Sequence, residues 1–406
     1  MSSATPLHDV SPAYGGFYSP RYELLVSGEG LATSALRDVV EVKYHDDVEA
    51  LDYLELTVSN WDSERRQFKY IGSETTEALQ GGDPRTPNYT MFEPCAKTVQ
   101  LSMGYSGVLK PLISATFTTM EPAFSSSGPP VLKVRGLNAL HQLRRRKYSE
   151  KYENMRDSDI ALRIAQLEDG DGEVERFPLQ VEIDDAARAR EPELPLVTQR
   201  AETDIDFLWK RARERGYVVT IREGQRPQDR RLYFGPSSEA DANPFELRWG
   251  HSLIEFNPRL TTANQYRSVT VNGWDRTRQR AIREQVALED DDVLEANPDL
   301  RHLIQACDPR EELVVDRPVF TPEQARAAAI DLLTDQSKQM VKASGSTVGL
   351  PELRAGTRIR ITGVGARLSG TYFLTSTDHT INDSGYLTRF EARRELSPSE
   401  SNGASS

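Results

Sequence analysis

Alternating apolar and polar positions dominate the first third of the chain. Residues 54–58 alternate strictly, as a strand buried on one face requires. The strand-like runs of this region are 22–26, 39–45, 54–58, 98–105, 112–120 and 131–136. Many short strands separated by turn residues predict a β-barrel or a β-sandwich here.

The apolar spacing changes to the helical period after residue 147. Asp157 and Ser158 are suited to cap a helix whose buried face carries Ile160, Ile164 and Leu167. We therefore expect a helix to follow directly after these two polar residues.

A second helix is predicted between Thr203 and Gly216. Thr203 with Asp206 approximates a capping box, and Gly216 stands where a C-terminal glycine belongs. The runs 217–221 and 231–234 that follow predict the two arms of a hairpin.

The last third returns to strands around one further helix. Thr321-Pro322-Glu323-Gln324 supplies a capping residue, a proline at the first helical position and a closing glutamine. Strand-like runs lie at 266–274, 357–361, 370–376 and 386–391.

The predicted fold class is therefore mainly β with an α/β insert. The predicted division begins with an extended arm at 1–20 and a first β-rich domain at 21–147, which has a polar loop excursion at 62–95. An α/β domain at 148–246 follows. A second β-rich domain at 247–395, with an acidic excursion at 284–318 and a helix at 322–337, and a disordered tail at 396–406 complete the chain. The chain of 406 residues is long enough for several such units, since domains usually hold about 100–200 residues.

Composition and charge narrow the classes of partner. The chain has 62 acidic and 50 basic residues, a net charge of −12, and an acidic surface argues against nucleic acid and anionic membranes as partners. The short basic run at 144–147 is interpreted as a solvated or subunit-contact segment.

The two cysteines, Cys95 and Cys307, form no disulfide framework and no zinc motif, which favours a reducing compartment. The N-terminus has no secretory signal pattern, and no apolar run approaches the roughly 20 residues that span a bilayer.

Motifs for catalysis are weak throughout. The six histidines form no metal-binding spacing, and His379, beside Asp378, is interpreted as a satisfied surface or interface residue. Ser344-Gly345-Ser346 lacks the frame of a nucleophile elbow and is interpreted as a turn. Adjacent acid pairs such as Asp46-Asp47 and Asp184-Asp185 arise freely in so acidic a chain.

Motifs for ligand binding are equally weak. Gly363-Val364-Gly365 is followed by a strand rather than by the helix that a phosphate loop needs, so a turn is predicted. Residues 169–172 hint at a calcium loop, but Val174 stands where that loop requires glycine. We predict no catalytic, cofactor-binding or metal-binding residue and no cofactor.

Several segments in a fixed order resemble the late control D proteins of phages. These are the hub proteins of contractile tails, related to VgrG of type VI secretion and to the hub of T-even phage baseplates. The resemblance is carried by RRRKYSEKYENMRDSDIALRIA at 144–165, ETDIDFLWKRARERGY at 202–217, LYFGP at 232–236, LRWGHSLIEFNPRLTTANQYRSVTVNGWDR at 247–276, and the segment from GSTVGL to FEARR at 345–394.

This resemblance implies two β-barrel-like tube-attachment domains that flank a small α/β domain. It implies a non-enzymatic homotrimer that contacts a tail tube protein above, a spike protein below and other baseplate subunits beside it. VgrG-type chains continue into an OB-fold and a needle, whereas this chain ends near residue 395 with a short polar tail, so we expect a separate spike polypeptide. The expected location is the cytoplasm during assembly and then the baseplate of the particle.

Two alternative functions remain open from the sequence. One is a hydrolase of cell-wall polymer that uses a cryptic carboxylate pair. The other is a cargo-binding or effector-loading module of the same particle.

Overall fold

The structure of the protein is a computed structural model. It describes residues 5–6, 17, 19–72, 89–126, 128–167, 176–177, 179–224, 229–237, 245–291, 293, 300–306, 310–315 and 319–395.

The N-terminal β region is built on antiparallel strands that surround an apolar core of their own. Its elements are β1 (Thr5–Pro6), β2 (Pro20–Val26), β3 (Glu29–Gly30), α1 (Thr33–Asp38), β4 (Val39–Asp47), β5 (Tyr53–Ser59), β6 (Trp61–Asp62), β7 (Gln67–Phe68), β8 (Thr98–Tyr105), β9 (Val108–Ala123) and β10 (Val131–Asn138). Strands β4, β5, β10, β9, β8 and β2 are hydrogen-bonded in that order. In β5 every second residue is buried, and Leu54, Leu56 and Val58 have no exposed surface, as the alternation in sequence predicts.

A helix-containing region follows. Its elements are a 3-10 helix (Ala139–Arg144), β11 (Lys147–Met155), α2 (Asp157–Ile164), β12 (Gln180–Ile183), α3 (Asp185–Arg190), β13 (Leu194–Thr203), α4 (Asp204–Arg215), β14 (Tyr217–Arg222) and β15 (Arg231–Pro236). Strands β12, β15 and β14 form a mixed sheet, and β11 pairs with β13. A separate core around Ile160, Leu208 and Phe234 holds this region together.

The C-terminal β region combines a bent sheet with a smaller sheet covered by a helix. Its elements are β16 (Phe245–Arg248), β17 (Leu253–Leu260), β18 (Ser268–Asp275), β19 (Arg280–Ala287), α5 (Arg301–Ala306), β20 (Glu311–Val314), α6 (Pro322–Lys338), β21 (Val341–Val348), β22 (Arg358–Thr362), β23 (Gly370–Asn382) and β24 (Gly385–Arg394). We call β19, β18 and β20, which pair in that order, the outer sheet. Its apolar inner residues Val269 and Ile282 share one core with Ala329 and Leu333 of α6.

One continuous sheet joins the two β regions. Strand β23 pairs with β24 along one edge and with both β22 and β4 along the other, so that the sheet counts 14 strands. The end of the β23–β24 hairpin places Ile381 and Tyr386 in the core of the N-terminal region. The predicted mainly β class is confirmed.

Local sequence signals explain where the helices begin and end. Thr203 and Thr321 each accept a backbone hydrogen bond at their helix start, and Gly216 ends α4 with a φ of 66°. The helix predicted after Ser158 begins two residues earlier, at Asp157, with Arg156 at the capping position and Asp157 and Ser158 in its first turn. Leu167, predicted on its buried face, lies beyond its end.

The prediction of a turn at Ser344-Gly345-Ser346 is wrong, because these residues lie in the middle of β21. A Cβ atom on Gly345 would lie 2.5 Å from Cζ of Phe390 and 2.8 Å from the carbonyl oxygen of Glu255. Glycine is needed here for a close approach of strands rather than for a turn. Gly363 and Gly365 do form the predicted turn, with φ angles of 79° and 83°.

Several predicted segments fall wholly or partly outside the described residues. These are most of the arm at 1–20, part of the loop excursion at 62–95, the loop at 169–172, Cys307 and the tail at 396–406. Within the arm, Thr5–Pro6 pairs in parallel with β16. Within the predicted acidic excursion at 284–318, the structure places the end of β19, helix α5 and strand β20.

Candidate functional site

The junction between the two β regions contains a buried cluster of polar side chains, which we call the seam. The side chains of the seam come mainly from β4, from β23 and from the connection between β21 and β22. Asp46 of β4 is 3% exposed, and Nε of Arg354 donates to its Oδ2 at 2.6 Å. The hydroxyl of Thr377 on β23 and the backbone amide of Ala355 donate to the same carboxylate. Arg354 also donates to the Tyr44 hydroxyl, so the junction is bound by charge as well as by the strand ladder.

A second buried carboxyl lies beside this ion pair. Oδ2 of Asp52 accepts from Nδ2 of Asn138 at 2.7 Å, and its Oδ1 accepts from the backbone amide of Asp47 at 3.2 Å. Burial, reinforced by the negative charge of Asp46, raises the pKa of Asp52 to about 8.

His379 lies inside the seam rather than on a surface. It has no exposed area, its Nε2 lies 2.8 Å from the carbonyl oxygen of Leu353, and its Nδ1 lies 2.8 Å from the Tyr386 hydroxyl. Burial lowers the pKa of His379 to about 4, so the ring is neutral near pH 7. The histidine is satisfied, as the sequence indicated, but it is a core residue. Its neighbour Asp378 instead contacts His45, at 2.9 Å.

The outer sheet presents apolar side chains on the face turned away from α6. Trp274 is 53% exposed, Leu313 is 58% exposed, and Val315, just after β20, is 66% exposed. Leu313 is the cross-strand partner of Thr270, and residues 270 and 274 share one face of β18. Within the described residues β20 pairs only with β18, so its second edge has no strand partner there. Exposed apolar residues at an open sheet edge are typical of contact surfaces.

The described residues offer few side chains suited to metal binding or nucleophilic catalysis. Among the residues that the structure describes, no group of three or more His, Cys, Asp or Glu side chains could hold a metal ion. Cys95 is an exposed free thiol. Asp184, half of one sequence-adjacent acid pair, caps helix α3 through the amide of Ala187. None of the described helices is long and apolar enough to cross a bilayer.

The outer sheet and the seam were both missed by reasoning from sequence. The seam joins strands more than 300 residues apart, as the contact between Tyr44 and Arg354 illustrates, and no local pattern carries that pairing. The exposed apolar positions of the outer sheet alternate like those of any half-buried strand. The apolar residues Leu313 and Val315, on the outward-facing side of β20 and just after it, are the one sequence signal that could have indicated this surface.

The whole fold is shared with proteins of phage tails and of a secretion system. The 43 kDa tail protein of prophage MuSo2 from Shewanella oneidensis matches with a TM-score of 0.63 at 14% identity, over 93% of this chain and 98% of that protein. A tail protein from Neisseria meningitidis matches with a TM-score of 0.61 at 12% identity, over 93% and 97%. An Escherichia coli component of the type VI secretion system matches with a TM-score of 0.54 at 12% identity, over 92% and 77%. At these identities the similarity concerns the fold.

Sequence comparison gives two further results. No match is found among curated proteins. A family model described as the Alg8 N-terminal domain matches residues 20–383, which is most of the chain, and its description names no reaction. The chain belongs to the Alg8 N-terminal domain family.

Proposed function

We propose that this chain is a structural baseplate hub subunit of a contractile phage tail or of a phage-tail-like injection system. In this role it adapts a hexameric tail tube to a trimeric spike and carries out no reaction itself. The proposal includes the late control D and VgrG-like character indicated by the sequence. It also includes assembly in the cytoplasm before incorporation into the baseplate.

The observation that carries the proposal is the 14-stranded sheet with a separate core in each β region. Two β units in one chain allow three chains to present six units, which is the number that a six-fold tube requires. The ion pair of Arg354 with Asp46 fixes one unit against the other, so that each chain would offer two attachment units at a constant angle. Similarity of fold to tail proteins over more than nine-tenths of the chain supports the same reading.

The outer sheet is the surface that we assign to contacts between subunits of the homotrimer. Burying Leu313, Val315 and Trp274 against a neighbour would remove apolar area from water, at about 25 cal/mol per Å². The open edge of β20 would supply backbone hydrogen bonds. Tube protein, a separate spike protein and other baseplate subunits would contact the remaining faces.

Imaging of the complex tests this function. The purified chain, mixed with its candidate spike protein and examined by electron microscopy, should give rings with three-fold symmetry and six similar density lobes. Particles without a three-fold axis, or chains that never contact the spike, would contradict the hub assignment.

Two assays separate the hub from the other functions that the sequence left open. A hydrolase of cell-wall polymer would release soluble fragments from peptidoglycan, and substitution of one acidic residue would abolish that release. An effector-loading module would leave particles intact after deletion while one effector is lost. The hub proposal expects no fragment release and no intact particles after deletion.

A further inference from the structure

A cleft of about 710 Å³ lies between the helix-containing region and the C-terminal β region. One wall is formed by α4 and the start of β14, including Trp209, Arg213 and Tyr217. Its floor is the sheet of β17, β21 and β24, including Arg259, Lys342 and further residues of these strands. The cleft is separate from the outer sheet, and the proposed function makes no use of it.

Three basic side chains stand in one row across the floor of the cleft. Arg259 of β17 is the cross-strand partner of Lys342 of β21, and Lys342 is the partner of Arg393 of β24. All three line the cleft. Like charges directly opposite on neighbouring strands destabilise a sheet. A row of three cations therefore lowers the stability of this sheet unless an anionic group lies over it.

Acidic residues in the described part of the chain neutralise the positive charges of this row only in part. Arg393 is 9% exposed and contacts Asp335 through Nη1 at 3.4 Å, whereas its Nε is buried and has no hydrogen-bond partner in the described part of the chain. Arg259 and Lys342 are exposed and form no ion pair with any described residue. Trp209, 4% exposed on the opposite wall, likewise has an indole Nε1 without a partner among the described residues.

Buried donors without acceptors are rare in folded proteins, because an unmade hydrogen bond costs the full desolvation of the group. Two such donors occur here on residues that line one cleft, beside a row of cations. No acceptor among the described residues reaches either of these two donors.

Acidic residues in the same cleft restrict the class of ligand. Four of them line it, namely Asp47, Glu49, Asp335 and Glu391, and they equal in number the cations Arg213, Arg259, Lys342 and Arg393. A dense polyanion would be repelled by these acids. A peptide segment offers carboxylate and carbonyl acceptors to the cation row and amide donors to the acids, so that both kinds of lining residue find partners.

We propose that this cleft binds an extended acidic peptide segment of another polypeptide, with a carboxylate placed over Arg259, Lys342 and Arg393. A bidentate contact from an arginine of the row to this carboxylate is the strongest single interaction expected. The inference goes beyond the proposed function, and it can be measured on the isolated chain.

Calorimetric titration of the full chain at low salt tests the inference. The probe is a synthetic hexapeptide of alternating glutamate and glycine with both ends blocked, and its counterpart has glutamine in place of glutamate. The glutamate peptide should bind, and Arg259→Gln together with Lys342→Gln should weaken its affinity at least tenfold. The same double variant should unfold at an equal or higher temperature than the unchanged chain, because it removes repulsion from the row. A merely structural role for the row would give the opposite shift.

The matched control removes two exposed lysines elsewhere, Lys110→Gln with Lys133→Gln, and should leave binding unchanged. Equal affinity of the cleft variant and the unchanged chain, or equal binding of the glutamine peptide, would overturn the proposal. Inorganic phosphate that competes at the affinity of the peptide would also overturn it, by showing that an isolated anion suffices. None of these outcomes depends on whether the chain assembles as a hub.

Discussion

The seam and the outer sheet depart from ordinary burial in opposite directions. The seam buries Asp46, Arg354 and His379 where apolar residues are usual, whereas the outer sheet exposes Leu313 and Trp274. These three polar residues of the seam have partners within the chain, whereas among the described residues nothing covers the side chains of Leu313 and Trp274. The seam is therefore an interface completed within the chain, whereas the outer sheet is a surface that a second chain can cover.

The largest expected effect comes from breaking the seam. Arg354→Met leaves the carboxylate of Asp46 buried and unpaired, and removing one partner of a buried pair costs about 3–5 kcal/mol. Urea unfolding at pH 7 should show a loss of this size. Arg360→Met, at an exposed position of neighbouring β22, should change the unfolding free energy by less than about 0.5 kcal/mol. A loss for Arg354→Met that is no larger than for the control would show that the ion pair does not hold the junction.

The pH dependence of the unfolding free energy tests whether the carboxyl groups of the seam are buried. The pKa of Asp52 is about 8 in the folded chain against 3.8 as its ordinary value. The folded state therefore holds the proton more tightly, and this contribution to stability is complete below about pH 4 and is lost as the pH rises through about 8. One such group contributes at most about 1.4 kcal/mol per pH unit.

Unfolding free energies at pH 6.5 and 8 for the unchanged chain and for Asp52→Asn measure this contribution. Over that range His379 stays neutral in the folded state, because its pKa is about 4. The unchanged chain should lose more stability than the variant as the pH rises. Parallel profiles would contradict burial of an ionisable Asp52.

Helix α6 supports the outer sheet, and weakening its start should have a moderate effect. Thr321 accepts from the amide of Gln324, and replacing such a cap with alanine costs about 1 kcal/mol. Thr321→Ala should show that loss in thermal or chemical unfolding. Thr334→Ala, inside the same helix, should not, since alanine favours the helix interior. Equal behaviour of the two variants would mean that the cap does not stabilise α6.

Substitutions on the outer sheet should have the smallest effect on stability. They should have the largest effect on assembly. Leu313→Ser with Val315→Ser replaces exposed side chains, so each should change the unfolding free energy by about 0.5 kcal/mol or less. Light scattering should nevertheless show a shift from trimer towards monomer. An unchanged mass would remove the outer sheet from the subunit contact.

Sequence reasoning succeeded where the signal was local. Thr321 with Pro322 and Gln324 placed the start of α6, and the runs at 217–221 and 231–234 predicted the pair β14 and β15. It failed where one residue serves a distant contact. Gly345 was interpreted as part of a turn, although it lies in β21 and lets Phe390 approach closely. His379 was expected at a surface or interface, although it is fully buried in the seam. Such placements depend on which strands meet, and the pairing of β4 with β23 is written in no local pattern.

The mass of the purified chain in solution shows whether three copies of it assemble. Light scattering at several concentrations, with and without the candidate spike protein, would measure it. The hub account expects three times the 45.6 kDa of one chain, alone or on addition of the spike. A chain that remains a monomer at every concentration and does not respond to the spike would contradict the account.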